Sequence, residues 1–360
     1  MKILQVIDSL QIGGAEVLLR HLVPLFIEEG HDVDIYLLQS TNSSLERELL
    51  KEGISIYSPN NSTVYSISHI FSLAQYLREK IYDVIHVHLF PAQLWVAIAN
   101  KLVHKKTSLV TTEHNTYNRR RKKLYRPLDQ WMYRQYNTIA AISDATANEL
   151  YQWCPELESK VTLVPNGIQI EKFKKALPVP KVKITGYSEA PVIIFVGRFD
   201  EQKDHITLIK AMVNIPDAHL VLVGDGPLRK EMELLASKLA IDNRVHFLGR
   251  RNDVHELIKM ADIYVQSSHW EGFGIAVVEA MAGGLPVIAS KVPGLCDVVG
   301  NSGILFEPRN SKQLARYIKA VIDNKELYNS LSINSSARAE QFNIEVTAKK
   351  YIDLYRSPVM

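Results

Sequence analysis

Short runs rich in Val and Ile alternate with longer periodic stretches along almost the whole chain, and the alternation restarts once near residue 191. A short apolar run bounded by turn residues reads as a buried strand, and the periodic stretch after it as a returning helix. That rhythm builds parallel sheets, because parallel strands need a crossover connection. In the first half, strands are expected at 3–7, 33–38, 84–88, 108–112 and 138–142, with helices at 16–29, 67–80 and 92–102. In the second, strands are expected at 191–196, 219–223, 245–247, 263–266 and 287–289, with helices at 206–213, 228–239, 254–260 and 275–282. Between the halves, Pro178, Pro180, Gly186 and Pro191 interrupt a lysine-rich, weakly periodic stretch.

The expected fold class is therefore α/β, with two Rossmann-like doubly wound domains facing each other across a cleft. The first spans 1–170, a linker 171–190, and the second 191–343. A helical tail at 346–355, within 344–360, is expected to rejoin the first domain. Ligands of open α/β sheets bind at the carboxyl ends of the strands, so the informative residues are those that follow strands.

Composition narrows the function classes. With 360 residues and 46% hydrophobic content, two cores can be filled. Forty-two Lys and Arg against 39 Asp and Glu leave a formal charge of +3, so nucleic acid is not an expected partner and any cationic function is local. Two cysteines, Cys154 and Cys296, make no disulfide framework and fit a reducing cytosol. The opening run 3–7 is too short for a signal peptide, and no stretch reaches the ~20 apolar residues of a spanning helix. The expectation is a cytoplasmic protein, with peripheral contact to the cytoplasmic face of a membrane left open. Asn61-Ser62-Thr63 matches a glycan acceptor pattern, read as chance in an unexported chain.

The densest chemistry lies at Glu271-Gly272-Phe273-Gly274-Ile275-Ala276-Val277-Val278-Glu279. The glycines permit a tight turn, and a helix starting at Ile275 aims its positive end where that turn points. Two acids beside such a helix start are ill placed to hold phosphate. They suit hydroxyl-rich groups on either side of one, a ribose and a sugar. The strand at 191–196 runs into Gly197 and Arg198, with Lys203 soon after; a guanidinium fork plus a mobile ammonium suits a diphosphate. Gly224-Asp225-Gly226-Pro227 follows the next strand and reads as a structural turn at least as readily as a ligand contact. Arg251, after the strand at 245–247, is placed where a base lies against backbone.

In the first half, Gly13 and Gly14 precede a helix, so their N–H groups can face an anion. The G-x-G-x-x-G fingerprint is absent, which argues against a nicotinamide oxidoreductase. His114 follows a strand end beside Glu113 and Asn115, and is favoured for an active-site role over a structural one. Asn166-Gly167 reads as a structural or hinge-like turn. Arg119, Arg120, Arg121, Lys122, Lys123 and Arg126 form a basic run near Tyr117, Tyr125 and Trp131. It reads equally as a solvated loop or as a docking surface for anionic lipid or a lipid diphosphate acceptor.

Taken together, these segments resemble a known family. The 271–279 segment is similar to the E-x7-E signature of retaining glycosyltransferases of the GT-B fold, and the chain more narrowly resembles glycosyltransferase family 4. Gly13-Gly14-Ala15-Glu16, Glu113-His114-Asn115, Pro165-Asn166-Gly167, Gly197-Arg198 with Lys203, Gly224-Asp225-Gly226-Pro227 and Pro286-Val287-Ile288-Ala289-Ser290 appear in family order. One departure is Asp204, where many relatives have a glycine after the lysine. The resemblance implies sugar transfer with retained configuration from a nucleotide diphosphate sugar to a glycan or lipid-linked acceptor bound by the first domain. A UDP-sugar is favoured over a GDP-sugar.

It further implies that Arg198 and Lys203 hold the diphosphate, helped by N–H groups at Gly13, Gly14, Gly274 and Ile275. Glu279 would take the ribose, Glu271 the sugar hydroxyls with Gly272 and Phe273 on the same loop, and His114 would lie near the reacting sugar. No Asp-x-Asp follows a strand, so neither a cofactor nor an obligatory metal is expected. Two other readings stay open, a nucleotide-sugar epimerase of the same fold and a catalytically silent donor-binding scaffold.

Overall fold

The computed structural model describes residues 1–11, 13–59, 63–104, 106–116 and 121–356. The chain forms two compact units, one built from residues 1–167 with the segment from Ile344 onward, the other from 168–343. In the first unit the described strands are β1 (Lys2–Ile7), β2 (Asp32–Leu37), β3 (Ser55–Tyr57), β4 (Val84–His88), β5 (Ser108–Glu113), β6 (Thr138–Ala141) and β7 (Val161–Leu163). They are all parallel, in the order β3-β2-β1-β4-β5-β6-β7.

Both faces of this sheet are covered, which explains why its central strands read as near-continuous apolar runs. The side-chain period of two then sorts residues between the faces. On β1, Leu4 and Val6 join a core with Tyr36, Leu73 and Val87, whereas Ile3 and Ile7 join one with Leu19, Phe26 and Val84. The first helix, Gly14–Glu28, ends where Gly30 takes a φ of +81°; Gly30 N donates to Ile27 O and His31 N to Phe26 O. The helix Ile344–Arg356 lays Ile344, Ala348, Tyr351, Ile352 and Tyr355 onto the second face, with Tyr355 edge-on to Phe26 at 5.7 Å.

The second unit's described strands are β8 (Val192–Val196), β9 (His219–Val223), β10 (Val245–Gly249), β11 (Ile263–Gln266), β12 (Val287–Ser290) and β13 (Ile304–Phe306). They are parallel and ordered β10-β9-β8-β11-β12-β13. Ile193, Phe195, Leu208, Ile263, Ile288 and Phe306 form part of its core.

The expected linker at 171–190 is corrected. This stretch belongs to the second unit and holds two short helices, Ile170–Lys174 and Lys181–Thr185. Phe173 is buried, and Lys181 Nζ pairs with Asp262 at 2.7 Å. Pro180 and Gly186 are the caps of the second helix, so residues that look like interruptions in sequence act as its boundaries.

The junction beside the last helix depends on a missing side chain. A Cβ on Gly167 would lie 2.6 Å from Ile344 Cα, and Thr347 Oγ1 donates to Pro165 O at 3.0 Å next to it. Gly167→Ala must therefore push backbone apart. The expected cost is about 1–3 kcal/mol, read as a lowered urea midpoint at unchanged slope. An unchanged midpoint would show that the helix does not seat this closely.

Candidate functional site

The strand order of the second unit reverses between β8 and β11, so the connections leaving these two neighbours run to opposite sides and leave room at their carboxyl ends. The loop after β8 carries Arg198 and Lys203; the loop after β11 carries Glu271. Side chains tie the two loops together. Lys203 Nζ forms an ion pair with the buried Glu271 carboxylate. That carboxylate also accepts from Ser268 Oγ at 2.8 Å, Gln266 Nε2 at 3.2 Å and Gln202 Nε2 at 3.3 Å. Gln202 Nε2 further donates to the Trp270 carbonyl at 3.0 Å, and Ser267 Oγ donates to the Asp204 carbonyl at 2.9 Å. A buried carboxylate demands partners of this number and kind.

Asp204 explains its own departure from glycine. Its φ of +45° and ψ of +53° are left-handed, a conformation that Gly enters freely and that Asp also tolerates. Its carboxylate then caps the helix His205–Met212, accepting from Thr207 N at 3.2 Å and Thr207 Oγ1 at 2.6 Å.

Arg198 extends into solvent, with Nε 3.9 Å from the Asp200 carboxylate. Its loop is buttressed from below by Gly224-Asp225-Gly226. A Cβ on Gly224, whose φ is +135°, would lie 1.9 Å from Gly197 O, and one on Gly226 would lie 2.4 Å from Phe199 O. Phe199 N donates to Asp225 O at 3.1 Å across the same contact. These glycines have a structural purpose: they let one turn carry the other.

The second acid lies on the helix Ile275–Ala282, which begins after Gly274 in the left-handed region with a φ of +93°. Glu279 is half-buried, and burial pushes its carboxyl up to about 7 while Lys172 draws it back. Among the described residues no hydrogen bond reaches that carboxylate. Both acids act on one buried phenol. Tyr264, raised far above the usual range by burial, is raised further by Glu279 and then by Glu271. Phe273 is 4% exposed with its ring edge-on to Phe342 at 5.3 Å, so only its backbone can face a ligand.

Arg251 is already engaged: its fork grips Asp253, Nε to Oδ1 at 2.8 Å and Nη2 to Oδ2 at 2.5 Å. The three strand ends still stand in series, since Gly197 N donates to Val223 O and Gly224 N to Gly249 O.

In the first unit, the Gly13-Gly14 helix start faces an acid of its own chain. The Glu16 carboxylate lies over Gly13, 2.4 Å from where a Cβ would stand. Asp8, at the end of β1, accepts from Ala92 N at 3.1 Å and is pushed up to about 7 by burial, with Glu16 adding to the rise. An incoming anion must displace Glu16 before meeting these N–H groups. His114 follows β5, half-buried, with Nε2 3.1 Å from His88 Nδ1.

The basic run is not one cationic face. Arg119 and Arg120 lie outside the described residues, as do Tyr117 and Asn61-Ser62 of the glycan pattern. Arg121 turns inward, with Nη1 3.6 Å from Glu149 and 3.5 Å from Thr116 O, and Arg126 lies over the Trp153 ring at 5.8 Å. Lys122 and Lys123 are exposed, beside exposed Leu124, Tyr125 and Leu128. Among the described residues no helix is long and apolar enough to cross a membrane, and no group of three His, Cys, Asp or Glu is placed to hold a metal.

Sequence reasoning did not single out Gln202, Tyr264 or Gln266 in the second unit, nor Gln5, His86 or His88 in the first. A usable signal was present. Gln266 ends the buried strand β11, and His86 and His88 sit two apart within the buried strand β4, where an apolar strand has no packing reason for them.

Two family models match the chain: Glycosyltransferase Family 4 over residues 12–172, and Glycosyl transferases group 1 over residues 181–338. The chain is 26% identical to the N-acetyl-alpha-D-glucosaminyl L-malate synthase of Bacillus anthracis, covering 96% of this chain and 94% of that one. It is 29% identical to the UDP-Gal:alpha-D-GlcNAc-diphosphoundecaprenol alpha-1,3-galactosyltransferase of Escherichia coli, over 82% of this chain and 81% of that one. Among solved structures, Anabaena Alr3699/HepE in complex with UDP superposes with a TM-score of 0.87 at 24% identity, covering 99% of this chain and 100% of that one. That likeness gives the fold, GT-B.

Glu279 supplies a pH test of the site. A carboxyl raised from 4.5 to about 7 holds its proton more tightly in the folded state, so it favours folding below the lower value. That stability is lost as pH rises through the window between the two values. Glu279→Gln removes the loss, and the variant should exceed wild type by about 1–2 kcal/mol at pH 8 and match it at pH 4. Urea melts at the two pH values read this directly; a variant no more stable at pH 8 contradicts the burial described for the acid.

Proposed function

The chain belongs to glycosyltransferase family 4, and we propose that it moves a sugar, with its configuration retained, from a nucleotide diphosphate sugar to a hydroxyl of a glycan or lipid-linked acceptor. The observation that carries this reading is the Lys203–Glu271 pairing between the β8 and β11 loops. It holds an ammonium group at the carboxyl ends of the strands, beside the exposed guanidinium of Arg198, where a departing diphosphate needs positive charge. Fixed cations preorganised in this way stabilise developing negative charge without reorganisation in the transition state.

In this mechanism Arg198 and Lys203 take the diphosphate oxygens, with the start of the helix Ile275–Ala282 facing the same charge. Glu271, held in place by Lys203, Gln202, Gln266 and Ser268, is assigned to the donor sugar hydroxyls. Glu279, unpaired by any hydrogen bond among the described residues, takes ribose hydroxyls, whose donation would recover the cost of its burial. His114 meets the reacting sugar. The fixed cations stand in place of a divalent metal. Uridine is favoured as the base: the E. coli relative is named for UDP-Gal, and the Anabaena structure holds UDP. The same relative, named for a diphosphoundecaprenol-linked acceptor, supports synthesis of surface polysaccharide or glycolipid. Lys122 and Lys123 with Leu124 and Leu128 suit contact with an anionic membrane around such an acceptor. Vesicle co-sedimentation checks that contact; equal binding to neutral and anionic vesicles removes it.

Nucleotide diphosphate release from a panel of sugar nucleotides, with and without crude lipid acceptor, tests the reading. Acceptor-dependent release of UDP is expected, and its α or β product read by NMR reports retention. Free epimerised sugar nucleotide without acceptor points instead to the epimerase, and donor binding with no turnover to the scaffold. Arg198→Ala and Lys203→Ala should each lower turnover by about 10²–10³-fold; near-wild-type turnover in both removes their role. Chelation by EDTA should leave turnover unchanged, and its loss would restore a metal to the mechanism.

A further inference from the structure

A line of buried polar side chains crosses the sheet of the first unit and ends at His114. Strand periodicity puts His86 and His88 of β4 on one face with Gln5 of β1 and Thr112 of β5, which is the face covered by the helix Ile344–Arg356. Thr112 Oγ1 lies 3.0 Å from Tyr351 Oη and 2.7 Å from His86 Nε2. His86 Nδ1 lies 2.6 Å from Tyr355 Oη, which receives Gln5 Nε2 at 3.2 Å. Gln5 Oε1 is 3.0 Å from His88 Nε2, and His88 Nδ1 is 3.1 Å from His114 Nε2.

Protons in such a line can be ordered in only two ways. Each neutral imidazole has one donor and one acceptor, and each hydroxyl one proton, so the Gln5 amide sets the direction for all. With its nitrogen donating to Tyr355, its oxygen must receive His88 Nε2–H. His88 Nδ1 is then a bare acceptor, and His114 must donate from Nε2. Tyr355, having accepted from Gln5, gives its own proton to His86 Nδ1, and His86 Nε2–H goes to Thr112.

We propose that Gln5 and His88 are positioning residues that hold His114 as the Nε2-protonated tautomer, so that His114 Nδ1 accepts a hydrogen bond from a hydroxyl of the donor sugar. Among the described residues no hydrogen bond reaches that nitrogen. Burial supports the neutral state along the line. It pushes His114 down to about 4, and holds His86 and His88 well below the usual range, with the neighbouring imidazoles adding to the effect. A bare Nδ1 selects a group with a proton to give, which a sugar hydroxyl has and a diphosphate oxygen has not. The recognition of a sugar hydroxyl rests on the proposed function; the tautomer does not.

Long-range ¹H–¹⁵N correlation of the ¹⁵N-histidine protein at pH 7.5 reads the tautomer, with His114 assigned by loss of its signal in His114→Asn. The expected result is a neutral ring protonated at Nε2. A ring protonated at Nδ1, or an imidazolium, overturns the proposal. Gln5→Leu removes the anchor and should give mixed His114 tautomers. Its kcat should fall roughly tenfold, the worth of one hydrogen bond, while KM for the donor stays within about twofold. Gln5→Glu, which keeps an acceptor toward His88, should return the single tautomer and most of kcat. A loss carried by KM alone, or Gln5→Glu as impaired as Gln5→Leu, would assign Gln5 to packing. A protein with the expected tautomer but no sugar transfer refutes the function and leaves the relay standing.

Discussion

A buried carboxylate has to be matched, and in the second unit the match comes from across the strand-order reversal. Glu271 follows β11, and its cation, Lys203, follows β8. Removing either partner leaves a desolvated charge, far costlier than losing an exposed ion pair. The surrounding structure follows from keeping that pair in register. Gln202, Gln266 and Ser268 occupy the carboxylate's other positions, Asp204 turns the chain in left-handed geometry straight after the lysine, and Gly224 and Gly226 let the Arg198 loop rest on its neighbour. An arrangement that fixes charge before any ligand arrives is what departure of a diphosphate requires.

The central strands were legible because both faces of each sheet are covered, so β1, β4, β8, β9 and β11 appear in sequence as short, mainly apolar runs, broken only by a few polar residues such as Gln5, His86 and His88. The strands that were not read are β3, β7 and β13, and each lies at a sheet edge. Edge strands of three residues need only one buried neighbour, and Ser55–Tyr57 and Val161–Leu163 are largely exposed. Nothing in such a segment distinguishes it from a loop until its partner is in place. The stretch at 171–190 misled for a related reason: its two helices have five residues each, too short for a period to show, and Pro180 and Gly186 bound the second of them.

At the site, glycines, acids and cations were visible as motifs, but their partners were not. Asp204 looked like a departure from pattern, and its backbone is left-handed, a conformation that glycine enters freely and that aspartate also tolerates. The basic run shows the opposite failure. Adjacent in sequence, its members part company in space, because Arg121 and Arg126 turn inward to Glu149 and Trp153 while Lys122 and Lys123 stay in water. Charge counted along a chain says little about charge presented on a surface. The histidine line across β4 carries the same lesson, since it joins residues from the first strand to the last helix that no local pattern connects.

Hydrogen–deuterium exchange with and without UDP asks where the nucleotide diphosphate lands before any catalysis. Slowed exchange is expected, confined in the second unit to the loop from Gly197 to Asp204 and the segment from Ser267 to Glu279. Unchanged exchange in both segments, at UDP concentrations where calorimetry shows the protein saturated, would contradict it.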